Sequence, residues 1–281
     1  MMYEIVRPAG FCAGVKRAIS LAHYALKKYS RVYCLGELIH NEEVVNELCA
    51  QGLKVISDLS EVTDSESAVI IRSHGCPPDI YEFANRNGIK LVDATCPIVR
   101  RIQKLCQNSA REGKRILIYG DKEHEEVKSL LGFSYGQAKV IENLDQARDI
   151  NINGNTILIT QSTKDEQKFL EIKTILVKNG LPESNVYNTI CSDIKSRQQR
   201  VEEISRKVSV FFILGSKNSA NTKNLFEIAK KNCNSCYLIS RLEDVPDLNR
   251  KEIKIGVATG ASTPYNFLNL IIQKIKSCEE R

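Results

Sequence analysis

Along this chain, short β-rich apolar runs alternate with longer stretches whose apolar residues recur every three to four positions. The strand-like runs are Tyr3–Val6, Val32–Leu35, Ala68–Arg72, Lys90–Val92, Arg115–Tyr119, Thr156–Thr160, Ser209–Leu214 and Lys254–Ala258. The helical stretches are Val15–Lys28, Glu42–Gln51, Asp79–Asn87, Ile98–Arg111, Glu125–Leu131, Lys164–Val177, Lys195–Arg206, Asn221–Lys230 and Pro264–Ile275. This alternation predicts an α/β fold of parallel sheets covered by helices on both faces. No Pro/Gly/Ser-rich linker interrupts it, so lobe boundaries fall in short turns and the lobes are expected to be tightly apposed. The expected division is 13–95, 96–188 and 189–281, with a first strand in 1–12 joining the third lobe.

The polar residues with chemistry to offer fall at the joints of this pattern. Cys12, Cys96 and Cys191, one per third of the chain, each sit where a strand should end and a helix begin. Clustered thiol pairs at short spacing would suggest a zinc ribbon. Three lone thiols suggest a cofactor at the meeting point of three similar lobes. On a cubane cluster, three thiolates leave one iron without a protein ligand and open to a substrate. His40, His74, His124, Ser162, Ser219, Asn221 and Ser262 occupy the same kind of turn. In open parallel sheets these turns form the carboxyl edge, where ligands bind. Helix amino termini there offer unpaired N–H groups that suit an anion.

Composition narrows the classes. The 281 residues are 42% hydrophobic and 26% charged, with chain enough for one large domain or several small ones. The start, Met1 to Arg7, carries charges inside its apolar stretch and makes a poor signal peptide. The longest apolar run, Val208 to Leu214, is far too short to span a bilayer. Ten cysteines without a secretion signal point to a reducing cytoplasm. The net charge of +6 is not gathered into a basic run, so neither nucleic acid nor membrane is expected as a partner.

Each candidate also has a plainer reading. Cys34, Cys49 and Cys106 fall inside strands or helices and read as packing residues. Cys278 reads as surface, Cys76 lies ambiguously close to His74, and Cys233-Asn234-Ser235-Cys236 has redox spacing but runs from a helix end into a strand and has no partner pair. Of four histidines, His23 is mid-helix and reads as structural or exposed, while the other three occupy edge turns where imidazoles donate to phosphate or bind zinc. Glu126, on the first turn of a helix, is either a dipole-favoured carboxylate or a proton donor in a dry pocket. Gly215 to Asn221 and Gly260 to Pro264 cradle phosphate or cap helices, with Pro264 at a first helical position.

Taken in order from Gly10-Phe11-Cys12-Ala13-Gly14-Val15 to Gly260-Ala261-Ser262-Thr263-Pro264, these segments resemble the 4-hydroxy-3-methylbut-2-enyl diphosphate reductases of the non-mevalonate isoprenoid pathway. The likeness spans essentially the whole chain. It implies a three-lobed, trefoil-like α/β protein around a central [4Fe-4S] cluster. Cys12, Cys96 and Cys191 would be its ligands. His40, His74 and His124 would bind diphosphate with Ser219, Asn221 and Ser262. Glu126 would relay protons, and Thr160-Gln161-Ser162-Thr163 would position the substrate hydroxyl. It further implies isopentenyl and dimethylallyl diphosphate as products, and a ferredoxin or flavodoxin as electron donor.

The chain departs from that family's pattern in four places. Ala220 stands for a serine, Ser162 for a threonine, Glu125 for a proline, and Asp193-Ile194 for Ala-Thr ahead of the matching Arg197-Gln198. Three other readings stand beside it: a cluster enzyme of the quinolinate synthase kind, whose dicarboxylate substrate would favour paired arginines where these turns offer imidazoles and hydroxyls; a diverged cluster-binding relative with another substrate; and a zinc-binding structural protein.

Overall fold

A strand covered by helices on both faces needs unbroken apolar sequence rather than alternation. Ser67–Ile71, Thr156–Thr160 and Val210–Leu214 carry such runs at 68–71, 157–159 and 210–214 and are buried at every position. The protein is described here by a computed structural model that covers residues 2–63, 66–152, 154–247 and 253–277. Its chain divides into two compact units. One comprises 1–13, 40–42 and 192–281, the other 14–39 and 43–191.

The larger unit holds two parallel sheets. In chain order its strands are β2 (Arg31–Leu35), β3 (Leu53–Ile56), β4 (Ser67–Ile71), β5 (Lys90–Asp93), β6 (Arg115–Tyr119), β7 (Ala138–Ile141) and β8 (Thr156–Thr160). They order as β3-β2-β4-β5 and β7-β6-β8. The connecting helices are α1 (Ala13–Lys28, its first residue excepted), α2 (Glu42–Ala50, after its first residue), α3 (Pro78–Arg86), α4 (Pro97–Arg111), α5 (Glu125–Phe133), α6 (Leu144–Arg148) and α7 (Glu166–Lys178). The smaller unit holds β1 (Met2–Ile5), β9 (Val210–Leu214), β10 (Ser235–Ile239) and β11 (Lys254–Thr259), ordered β1-β11-β9-β10, with α8 (Ser192–Ser205), α9 (Ala220–Lys230) and α10 (Tyr265–Ser277). Every strand pairing is parallel.

The three sheets share one plan. In each, a leading strand (β2, β6 or β9) lies between the two strands that follow it in the chain. The chain leaves that strand to one side and then returns to the other. Connections from neighbouring strands therefore diverge at the carboxyl edge and open a crevice there.

Packing follows the pattern of the sequence. Helix α4 buries Val99, Ile102, Cys106 and Ala110, a three-to-four-residue stripe, and the last three pack with Ile116, Ile118, Ile157 and Ile159 of β6 and β8. Cys34 and Cys106 are buried packing residues, as expected, and Cys49 is corrected to an exposed position on α2. Cys76 is also core, packed with Tyr33, Val69 and Ala84. The Cys233/Cys236 pair runs from the end of α9 into β10, with both thiols near backbone carbonyls. Cys278 lies outside the described residues.

Two strands go beyond those expected, β3 and β7, and the strand expected at Cys236 is β10. All three are edge strands, and their burial patterns mix exposed with buried positions. Half-exposed four-residue strands such as β3 and β7 carry too little apolar signal to stand out from turns. No regular strand precedes Cys191. A single parallel bridge, Val186 to Leu158, takes its place. Asn221 is the second residue of α9 rather than part of the turn before it, and α10 begins one residue after Pro264. Among the described residues no helix is long and apolar enough to cross a membrane.

Candidate active site

At the carboxyl edge of the β7-β6-β8 sheet, α5 begins with His124 as its cap. The ring Nδ1 accepts the Glu126 N–H at 3.1 Å, which leaves the proton of a neutral ring on Nε2. Glu126 is 1% exposed. Its two carboxyl oxygens accept from the Ser162 N–H and the Ser162 hydroxyl, each at 2.7 Å. Burial pushes the carboxyl up to about 7, and the two hydrogen bonds from Ser162 pull the other way without prevailing. Near neutral pH this group is therefore poised between its two protonation states.

Ser162 also anchors a cysteine, since its carbonyl accepts the Cys191 N–H at 3.0 Å. The segment ahead of Cys191 is sewn to β8 as well. The Thr189 hydroxyl accepts the Thr160 N–H at 2.8 Å and donates to the Thr160 carbonyl. Cys96 caps α4, and its own N–H reaches the Ser73 carbonyl at 2.9 Å. Burial raises the Cys96 thiol above its ordinary range, and the Ile98 and Val99 N–H groups at the helix start oppose that rise. The charges of Cys191 and Glu126 add to it, so both lie within electrostatic reach of the Cys96 thiol. Two half-buried free thiols, one facing helix N–H donors, form a soft sulfur set of the kind an iron–sulfur cluster takes.

The histidine-bearing turns of this unit meet directly. The His74 and His124 rings lie edge to face with centroids 5.4 Å apart. Beside them Arg72 pairs with Glu125, tying the turn after β4 to the start of α5. Gly75 allows the turn to form. Its φ is +75°, and a Cβ there would collide with the Gln103 amide. That amide donates to Ser129, whose hydroxyl holds the Cys76 carbonyl. Cys76 itself is pushed up to about 12 by burial and stays a neutral packing thiol.

The smaller unit presents the carboxyl edge of β9 and β11. Cys12 donates its N–H to the Ala261 carbonyl at 3.0 Å. Ser262 donates its hydroxyl to the His40 carbonyl at 3.0 Å and accepts at its own carbonyl from the Asn41 amide at 2.7 Å. Ser219 caps α9 through the Thr222 N–H at 3.3 Å. Asn221 is buried, and neither atom of its side-chain amide has a hydrogen-bond partner among the described residues. The same holds for the Thr222 hydroxyl, against which a Cβ on Gly260 would collide. Buried polar atoms of this kind at a helix amino terminus suit an anion.

Expected site residues thus fall into two groups. Glu126, Ser162, Cys96, Cys191, His74 and His124 assemble in the larger unit. Cys12, His40, Ser219, Asn221 and Ser262 belong to the smaller. Three contributors went unremarked as site residues in the sequence. Thr222 is readable as the partner of a Ser219 cap and Asp193 as the ion-pair partner of Arg197 four residues on, whereas nothing local marks Glu125 for Arg72, or Gly10 and Thr259 for Arg197.

The sequence profile of the LytB protein family matches residues 4–276. A curated 4-hydroxy-3-methylbut-2-enyl diphosphate reductase from Caldanaerobacter subterraneus is 36% identical over 278 residues, covering 97% of this chain and 96% of that protein. The one from Campylobacter lari is 37% identical over 279 residues, covering 98% of each. Among solved structures, the E-1-hydroxy-2-methyl-but-2-enyl-4-diphosphate reductase of Plasmodium falciparum superimposes with a TM-score of 0.91 at 28% identity, over 98% of this chain and 88% of that one. A second solved (E)-4-hydroxy-3-methyl-but-2-enyl diphosphate reductase aligns with a TM-score of 0.69 at 34% identity, over 99% and 100% of the two chains. With likeness of this extent in sequence and fold, the chain belongs to the LytB protein family.

Proposed function

We infer that this protein reduces 4-hydroxy-3-methylbut-2-enyl diphosphate to isopentenyl and dimethylallyl diphosphate. The observation that carries the reading is the buried Glu126 carboxyl, poised near neutrality, within electrostatic reach of Cys96 and joined through Ser162 to the Cys191 backbone. The reaction breaks the allylic C–O bond. It consumes two electrons and two protons and releases the hydroxyl as water. Cys12, Cys96 and Cys191 would hold a [4Fe-4S] cluster, which when bound supplies the electrons one at a time and an iron with an open position.

The remaining work belongs to this chain's side chains. Glu126 gives its proton to the departing hydroxyl, a role that needs a carboxyl still protonated near neutral pH. Ser162 holds that carboxyl in place and returns it to a charged, hydrogen-bonded state once the proton has gone. His40, His74 and His124 donate to the diphosphate, helped by Ser219, Asn221 and Ser262. The second proton is taken by the allylic fragment at either end, which accounts for two products.

That the described cysteines are joined by no disulfide supports a cytoplasmic setting. A net charge of +6 suits an acidic one-electron donor of the ferredoxin or flavodoxin kind. The deciding experiment is oxidation of a reduced viologen by anaerobically reconstituted protein, with and without 4-hydroxy-3-methylbut-2-enyl diphosphate. Substrate-dependent oxidation is expected. A brown, iron-loaded protein that oxidises nothing would overturn the substrate assignment.

A further inference from the structure

Arg197, on the second turn of α8, is 1% exposed and spends its whole guanidinium within one unit. Its Nε donates to the Asp193 carboxylate at 2.7 Å. One terminal nitrogen donates to the Thr259 carbonyl at 2.9 Å and to the Thr259 hydroxyl at 3.0 Å. The other donates to the Gly10 carbonyl at 2.9 Å. The Thr259 hydroxyl in turn accepts the Gly10 N–H at 2.8 Å. Gly10 is therefore gripped at both its N–H and its carbonyl. It has a φ of +76°, and an added Cβ would press on Tyr265 at 3.3 Å.

Two residues beyond Gly10 lies Cys12, and two beyond Thr259 lies Ala261, the residue whose carbonyl takes the Cys12 N–H. The guanidinium is planar and carries five donors in a fixed fork. It thus welds three segments that have no regular hydrogen-bonded ladder between them: the Cys12 turn, the end of β11 and the first turn of α8. Asp193 is the carboxylate that neutralises the buried cation.

We propose that Arg197, held by Asp193, is the positioning residue for Cys12, orienting that thiol for the cluster through Gly10 and Thr259. The proposal rests on Cys12 being a cluster ligand, and its test separates the two ideas. Thr259→Val removes one acceptor of Arg197 and the acceptor of the Gly10 N–H at nearly constant volume, so it should fold. Arg197→Lys keeps the charge and loses the fork. Partners that orient a metal ligand typically cost roughly 10–100-fold in affinity when removed. After anaerobic reconstitution, both variants should lose the cluster's visible absorbance in air about tenfold or more faster than the unsubstituted protein. The second readout needs no iron. In cluster-free protein, alkylation followed by mass spectrometry should show Cys12 reacting several-fold faster in both variants, with Cys96 unchanged.

Wild-type lifetime and an unaltered Cys12 rate in Thr259→Val would overturn the proposal. So would equal acceleration at Cys12 and Cys96, because that reports general loosening. If the unsubstituted protein takes up no iron, the cluster assignment fails, and the Cys12 alkylation ratio still decides whether Arg197 positions that turn.

Discussion

The edges of the β7-β6-β8 sheet and the β10-β9-β11-β1 sheet follow the same plan, yet their polar groups are in opposite condition. At the first, Glu126 has both oxygens satisfied by Ser162, and the question is where its proton resides. At the second, Asn221 and Thr222 are buried with side-chain atoms that have no partner among the described residues. A satisfied, titrating carboxyl is equipment for moving a proton. Unsatisfied neutral donors at a helix start are equipment for holding an anion. One topology therefore carries two kinds of chemistry, separated by which side chain stands in the first helical turn.

The comparison breaks most sharply at Glu126. Glu126→Gln should keep iron and substrate binding while turnover in the viologen assay falls by about 10²–10⁴-fold, the usual worth of a positioned acid. Unchanged turnover would remove the proton-relay role. Next comes the sulfur set, for which Cys96→Ser should lose iron and Cys34→Ser should not. Equal iron in the two variants would refute the ligand assignment.

Asn221→Ala tests the other edge. Calorimetry with inorganic diphosphate should show affinity about tenfold or more weaker, since a hydrogen bond to a charged group contributes about 1.5–3 kcal/mol. The ligand-free protein should melt no lower, because the substitution deletes two unsatisfied buried atoms. A lower melting temperature with intact binding would mean that Asn221 is structural.

The smallest expected effect concerns pH. The Glu126 carboxyl sits above its ordinary 4.5 in the folded protein, so its protonated form favours folding. That contribution is fully present below about pH 4.5 and is lost as pH rises through about 7. Melting temperature should fall over this window, and Glu126→Gln should flatten it. The Ser162 hydroxyl donates to the charged form, so Ser162→Ala should move the alkaline limb of the rate profile upward, by about one unit. A downward move would show that the hydroxyl favours the protonated form.

These tests use residues whose legibility differed. Strands β4, β8 and β9 were plain because burial on both faces forces uninterrupted apolar sequence. Edge strands β3 and β7 were not, because a half-exposed strand tolerates residues such as Lys54 and Lys139. The turn positions of His40, His74, His124 and Ser219 were equally readable, since each follows an apolar run and precedes an amphipathic one. The state of Glu126 was not. Whether a first-turn glutamate is a dipole-favoured carboxylate or a buried acid depends on Ser162, thirty-six positions away. Arg197 is the extreme case. In sequence it stands out among forty cations only as half of an Arg-Gln pair that matches the family, and its reach to Gly10 and Thr259 is what gives it a role.

By itself, then, the sequence determined what local periodicity encodes: alternating strands and helices, parallel sheets, and reactive residues gathered at the carboxyl edges. Tertiary structure alone decided which of those residues share a hydrogen bond, a charge or a dry environment. Periodicity is a property of neighbours along the chain. Protonation and ligand orientation are set by groups brought together from distant positions, through desolvation and hydrogen bonds that no local window contains.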